Sequence, residues 1–156
     1  MKTFSSIAGF VKHLAVLQAQ EKLALQKGLE QCATAIEKTA RDELGHYQSQ
    51  ADDFAAWPAL APATLAVHNR LGLGDAPLAG AGDLAASIEH AVDGLNGQVG
   101  STSPVMVYQE LGTAKMPPRP VLGPAAVRNK TFIRDTLRLA TVEGLLYGSG
   151  EKAGGK

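Results

Sequence analysis

With 156 residues the chain has the length of one domain, and its 45% apolar content is enough for a core. A formal net charge of zero disfavours a dedicated nucleic-acid binder, which carries a basic excess. The single cysteine, Cys32, excludes an internal disulfide and a thiolate zinc site.

The first predicted element is a long helix over residues 5 to about 50. Ile7, Phe10, Leu14, Leu17, Leu25, Leu29, Cys32, Ile36, Ala40, Leu44 and Tyr47 recur at threes and fours, interrupted only at Glu21. Ser5 or Ser6 supplies an N-cap, and Glu37 with Arg41 forms an i,i+4 pair of favourable order. Cys32 falls on the apolar stripe, so a buried, inert thiol is expected. Gly28 and Gly45 are weak points. A helix of this span would reach roughly 68 Å, more than one small domain covers. Either it breaks near Gly28, or its first half projects; the stripe keeps phase across Gly28, which favours projection. Asp52-Asp53 and Trp57-Pro58 are expected to end it, with Trp57 buried as an anchor.

A short helix follows, starting at Pro62 or Thr64 and closed by Gly72 and Gly74. Residues 72 to 82 read as loop, being studded with Gly72, Gly74, Pro77, Gly80 and Gly82. Ser87 to Val92 reads as a strand, Asp93-Gly94-Leu95-Asn96-Gly97 as a hairpin turn, and Gln98 to Ser101 as the return. Pro104 opens a helix that Gly112 stops. An extended arm follows, because Pro117, Pro118 and Pro120 fix their own φ and constrain the residues before them. Gly112 and Gly123 bracket the arm as turn or helix-stop positions. Pro124 opens the last helix, whose apolar face runs from Ala126 to Leu145. Ser149 to Lys156 is a polar tail expected to be disordered. The fold class is therefore α+β: a long N-terminal helix and a C-terminal helix packed on a small antiparallel sheet, as one domain over residues 1–148 with the tail at 149–156.

No residue set points to catalysis. Asp42 and His46 have the four-apart spacing of helical metal pairs, but no second pair completes a site. His13, His68 and His90 are scattered, and His90 shares a strand face with Ile88 and Val92. Glu110 reads as a helix-terminal polar group. Gly72-x-Gly74 and Gly80-x-Gly82 lack the context of a phosphate loop. No cofactor, catalytic residue or metal ligand is assigned, and the chain is read as a non-enzyme. It shows no signal-peptide pattern and no apolar run long enough to span a membrane. Lys115, Arg119, Arg128, Lys130, Arg134 and Arg138, against Asp135 alone, form the one clear charge asymmetry. That pattern suits a solvated helix face, an acidic partner subunit, or DNA in a channel.

The stretch Tyr108-Gln109-Glu110-Leu111-Gly112-Thr113, then Met116-Pro117-Pro118-Arg119-Pro120, then Leu122-Gly123-Pro124-Ala125 resembles the signature block of the tail-completion, or neck, proteins of tailed bacteriophages. A related group comprises the phage virion morphogenesis proteins. Three other pieces agree in order: Ala40-Arg41-Asp42 with Gly45-His46-Tyr47-Gln48; Trp57-Pro58 with Leu60-Ala61-Pro62-Ala63-Thr64; and Pro77-Leu78 with Gly82-Asp83-Leu84 and Ser87-Ile88. Together they cover residues 35 to 127. Where such proteins often carry Thr-Gly-x-Leu, this chain has Ala81-Gly82-Asp83-Leu84, losing one hydroxyl cap.

The resemblance implies a minor tail protein of the virion, made in the host cytoplasm. It would close the upper end of the tail as a homo-oligomeric ring of six-fold symmetry and act as part of the head–tail connector. Its expected partners are further copies of itself and other neck and tail proteins, such as the stopper, the tail terminator and the tape measure. DNA would be met only in passage through the channel, and no membrane is involved. A ring needs a heterologous interface. The expected interface residues are Tyr108, Glu110, Met116, Pro117, Pro118, Arg119 and Val121, because a proline-stiffened arm is preorganised for contact. Arg128, Lys130, Arg134 and Arg138 are the candidates for an acidic partner or for the channel. The alternative reading is a small nucleic-acid-binding or regulatory module that uses the basic C-terminal helix.

Overall fold

The structure, a computed structural model, describes residues 4–148. The tail at 149–156, expected to be disordered, lies outside the described residues. The described residues form helix α1 (Ile7–Glu43), α2 (Pro62–Leu71), α3 (Gly82–Ala86), strands β1 (Ile88–Asp93) and β2 (Asn96–Ser101), then α4 (Pro104–Leu111), α5 (Leu122–Arg128) and α6 (Lys130–Gly148). The fold class is the expected α+β, mostly helical, with one two-stranded antiparallel sheet. The chain divides into two compact units. One holds the residues up to Cys32, Val92–Gly97 at the hairpin tip and the residues from Thr131 on; the other holds Ala33–Ala91 and Gln98–Lys130.

Helix α1 starts where its cap predicts. Ser6 Oγ accepts from Gly9 N–H at 3.1 Å, satisfying one of the unpaired donors of the first turn. The helix runs unbroken through Gly28 for 37 residues, about 55 Å at 1.5 Å per residue. It ends at Glu43, however, and not near residue 50. Gly45 sits at φ 81, a left-handed conformation that favours glycine, and Gln48 Nε2 donates to the Glu43 carbonyl at 2.8 Å. Leu44 and Tyr47 kept the apolar rhythm of the helix without being part of it. A tight turn follows, in which Ala51 and Phe54 exchange backbone hydrogen bonds of 3.0 and 2.9 Å.

In the first unit, α1 and α6 approach closely. A Cβ on Gly144 would stand 2.5 Å from the Glu21 Cα, and one on Gly28 would stand 3.1 Å from the Ala140 Cβ. Glycine at these two crossings lets the backbones meet. Cys32 is buried in this unit, as expected, and its Sγ lies 4.0 Å from the Ile133 carbonyl. Burial pushes its thiol pKa up, which keeps it protonated and unreactive.

In the second unit, Ala40, Trp57, Leu84, Ile88, Met106, Val121 and Ala125 form the core, with Ile36, Leu44, Leu78 and Val99 packed against it. Ile88 is wholly buried, a burial that contributes about 1.5–3 kcal/mol. Trp57 is 6% exposed, and its Nε1 donates to the Pro120 carbonyl at 2.9 Å, so the expected anchor is in place. The two-residue turn Gly94-Leu95 joins the strands, and Gly94 has φ 59 while Leu95 stays out of the positive region, the φ signs of a type II′ turn. Helix α2 closes at Gly72, again in the left-handed conformation at φ 68.

The loop expected over residues 72 to 82 is present through residue 81, and α3, a helix of five residues that buries Leu84, follows it unpredicted. The single last helix expected from Pro124 is two helices. It breaks at Asn129 (φ −89, ψ 1), whose Nδ2 donates to the Ala125 carbonyl and to Thr39 Oγ1, each at 2.8 Å. Gly123 is accordingly no turn. It lies inside α5, where a Cβ would stand 2.3 Å from Phe54 Cζ.

Candidate assembly surface

The stretch that carries the resemblance folds as one tied segment. Ser103 Oγ accepts from Val105 N–H at 3.3 Å and caps α4, while Pro104 needs no hydrogen-bond partner at the first helical position. Gly112 stops α4 at φ 72, as expected. Thr113 to Met116 forms a tight turn closed by Thr113 N–H to Met116 O at 2.8 Å. Residues 117–120 then run without regular structure.

The arm has internal partners at nearly every step. Arg119 N–H donates to the Gln109 carbonyl at 2.7 Å. One oxygen of Glu110 accepts from both Val121 N–H (2.8 Å) and Leu122 N–H (2.7 Å), satisfying two donors at the start of α5. Trp57 holds the Pro120 carbonyl. Arg119 Nη2 donates to the carbonyls of Pro58 (3.2 Å) and Ala59 (3.4 Å).

The expected interface residues therefore divide. Arg119 is 6% exposed and Val121 is wholly buried, so both face the interior of their own unit. Glu110 is half-buried and engaged with the arm. Met116 is half-buried, while Pro117, Pro118 and Tyr108 are exposed and remain available to a partner. Arg119 and Val121 act as struts, and the physical reason is the bonding just given. An arm without a strand ladder can still be fixed by side-chain acceptors.

The basic residues are also distributed differently from one helical face. Arg128 pairs with Glu43 and donates to the Ser49 carbonyl at 2.9 Å. Lys130 lies 3.5 Å from Asp52, and Arg134 lies 3.2 Å from Asp135. Arg134 and Arg138 are exposed on α6, in the first unit, whereas Arg128 and Lys130 belong to the second. Burial raises the Glu43 carboxyl pKa above its ordinary value, against the pull of Arg128. The close Glu43–Arg128 contact argues for an ionised pair, but Glu43 is 5% exposed and one of its oxygens has no partner, so desolvation dominates.

Other titratable groups sit in local networks. The Glu37 carboxylate contacts His90 Nδ1 and Arg41 Nη2, the latter at 2.7 Å, and Arg41 also donates to the Ile88 carbonyl at 2.6 Å. The Glu37–Arg41 pair is the one its spacing predicts. Asp42 and His46 do not share a helical face, because α1 ends between them. No group of three or more potential metal-ligating side chains occurs among the described residues. Nor is any helix among them long and apolar enough to cross a membrane.

The least satisfied surfaces are apolar. In the first unit Ile7 is 84% exposed, Leu139 64% and Leu146 57%, with Val11, Leu23 and Val142 about as open. In the second, α4 presents Val105, Val107, Tyr108 and Leu111 to solvent, Leu111 at 76%. Several of these stand on successive turns of one helix, a pattern characteristic of faces that meet other chains. Periodicity had placed Phe10, Leu14 and Leu145 on apolar faces, but not which of those faces a single chain leaves open.

Fold and site together define a small, mostly helical α+β protein with a braced proline arm and open apolar helix faces. No family model, curated protein or solved structure matches the chain.

Proposed function

We propose that this chain is a structural subunit of the neck of a tailed bacteriophage, a tail-completion protein whose copies form a ring joining tail to head. The single observation that carries the assembly half of this reading is the exposed apolar surface of α1, α4 and α6, from Ile7 at 84% to Leu111 at 76%. Leaving such side chains in water forgoes about 25 cal/mol for each Å² of apolar surface that a partner would cover. The phage half rests on the ordered resemblance over residues 35 to 127. The segment with the densest resemblance is braced by Glu110, Trp57 and Arg119. Tyr108 of α4 and Pro117 and Pro118 of the arm are the residues this reading assigns to contacts between copies. No separate observation favours the nucleic-acid-binding reading, since Arg128 and Lys130 are engaged with Glu43 and Asp52.

The test is attachment. Purified chain is mixed with tails assembled without it, and the upper tail ends are imaged by negative stain. The reading expects a ring at that end and restored joining of heads; bare ends at saturating protein contradict it.

A further inference from the structure

In the first unit α6 packs along α1 with Gly144 against Glu21 and Ala140 against Gly28. That register, continued along both helices, sets Gly148, the last described residue of α6, beside Leu17. Residues Ile7 to Val16 of α1 therefore run on past α6. Their apolar positions continue the covered row. Ile7, Phe10 and Leu14 lead through Leu17 into Glu21, Gly28 and Cys32 by steps of three, four and seven, which keeps them on one helical face. The face that α6 covers further along is thus open at this end. Residues 149–156 offer little to cover it, with Ala153 as their single apolar side chain.

Helix α4 has the matching need. Val107, Tyr108 and Leu111 share its outer face, and the one charge among its eight residues, Glu110, is engaged with the start of α5. Its length, about 12 Å, is that of the open row from Ile7 to Leu14. The charged residue of the overhang, Lys12, lies on the far side of α1 from that row. Both faces are therefore uncharged, and a nucleic acid or an acidic chain finds nothing on either to pair with. The six apolar side chains are 44% to 84% exposed, and together they offer surface on the order of 1,000 Å², the scale at which specific contacts between proteins begin.

We propose that the α1 overhang of one copy packs against the outer face of α4 in the next copy, continuing there the helix packing that α6 provides within the first unit. Every copy carries one face of each kind, so the contact is heterologous and passes from copy to copy, as a closed ring requires. This inference rests on the assembly reading above and adds which two faces meet.

The test is a disulfide between copies. Cys32→Ala removes the native thiol from the full chain, and Phe10→Cys and Tyr108→Cys are then made in separate proteins. Both positions lie near the middle of their faces, so they meet whichever way the two helices run. Mixed and oxidised with copper phenanthroline, the two proteins should give at least tenfold more covalent dimer on non-reducing gels than either gives alone. Lys12→Cys in place of Phe10→Cys should give none. If either variant loses its helical circular dichroism, Leu14→Cys with Val107→Cys replaces the pair. Oligomers that persist on sedimentation yet give no mixed dimer overturn this pairing and leave the ring reading standing. Equal dimer from Phe10→Cys alone also overturns it, because two α1 ends then meet symmetrically. A parent chain that is monomeric at every concentration contradicts the ring reading, and the pairing falls with it.

Discussion

Replacing Glu110 by alanine removes the acceptor for two backbone donors at once. Val121 is wholly buried, so water cannot reach its N–H after the change, and an orphaned buried donor costs about 1–3 kcal/mol. Leu122 is half-buried, so its N–H is rehydrated at a smaller loss of about 0.5–1 kcal/mol. Loss of the negative group at the start of α5 adds a few tenths of a kcal/mol. The sum is about 2–4 kcal/mol, a large share of the stability of a small unit. Glu110→Gln keeps an acceptor and gives up the charge, so it should cost about 1 kcal/mol. Urea denaturation followed by tryptophan emission measures this directly. Trp57 is the only tryptophan, and its indole is bonded to Pro120 within the same arm. A Glu110→Ala variant within about 0.5 kcal/mol of the wild type, at unchanged m-value, would refute the argument that this carboxylate braces the arm.

Trp57→Ala should lose about 3–5 kcal/mol and melt far lower, whereas Trp57→Phe should lose about 1 kcal/mol with the Pro120 bond; equal melting points for both variants would show that packing of the ring contributes nothing. Gly144→Ala should force α1 and α6 apart, because the added Cβ meets backbone at 2.5 Å, and thermal melts by circular dichroism should show a loss of about 1–3 kcal/mol. An unchanged melt would mean that the two helices do not approach as described. Glu43 holds its proton to higher pH in the folded state than in the unfolded one, so its contribution to stability is present below about pH 4.5 and is lost as pH rises through the raised pKa. Urea melts of wild type and Glu43→Gln should therefore shift in favour of the variant from pH 4.5 towards neutrality, and the opposite slope would contradict the desolvation argument.

What was legible in the sequence was local. The Ser6 cap, the Gly94 turn, the Gly72 stop and the start of α4 at Pro104 each depend on a few adjacent residues, and each stands where its chemistry predicts. What was missed depends on distant partners. The break at Asn129 is held by Thr39, 90 residues away, and nothing near Asn129 announces it. Apolar periodicity carried the first helix past Glu43 because Leu44 and Tyr47 kept its rhythm, while Gly45 and the Gln48 side chain ended it. The arm was read as extended, and residues 117–120 carry neither helix nor strand. Prolines alone suggested a free arm, but Glu110 and Trp57 fasten it, and no sequence pattern pairs a glutamate in one helix with the first amides of the next. The exposed apolar residues were visible as stripes; which of them a single chain covers is a tertiary fact.

The central claim is that copies of this chain close into a ring, and native mass spectrometry of the purified protein across a concentration series tests it most directly. The account predicts a closed species of fixed copy number, six for the six-fold ring, in place of an open-ended series. That species should fall to monomer on Leu139→Glu, since Leu139 is 64% exposed and its own fold does not need it. A monomer at every concentration, or an oligomer indifferent to charge on the exposed faces of both α6 and α4, would contradict the account.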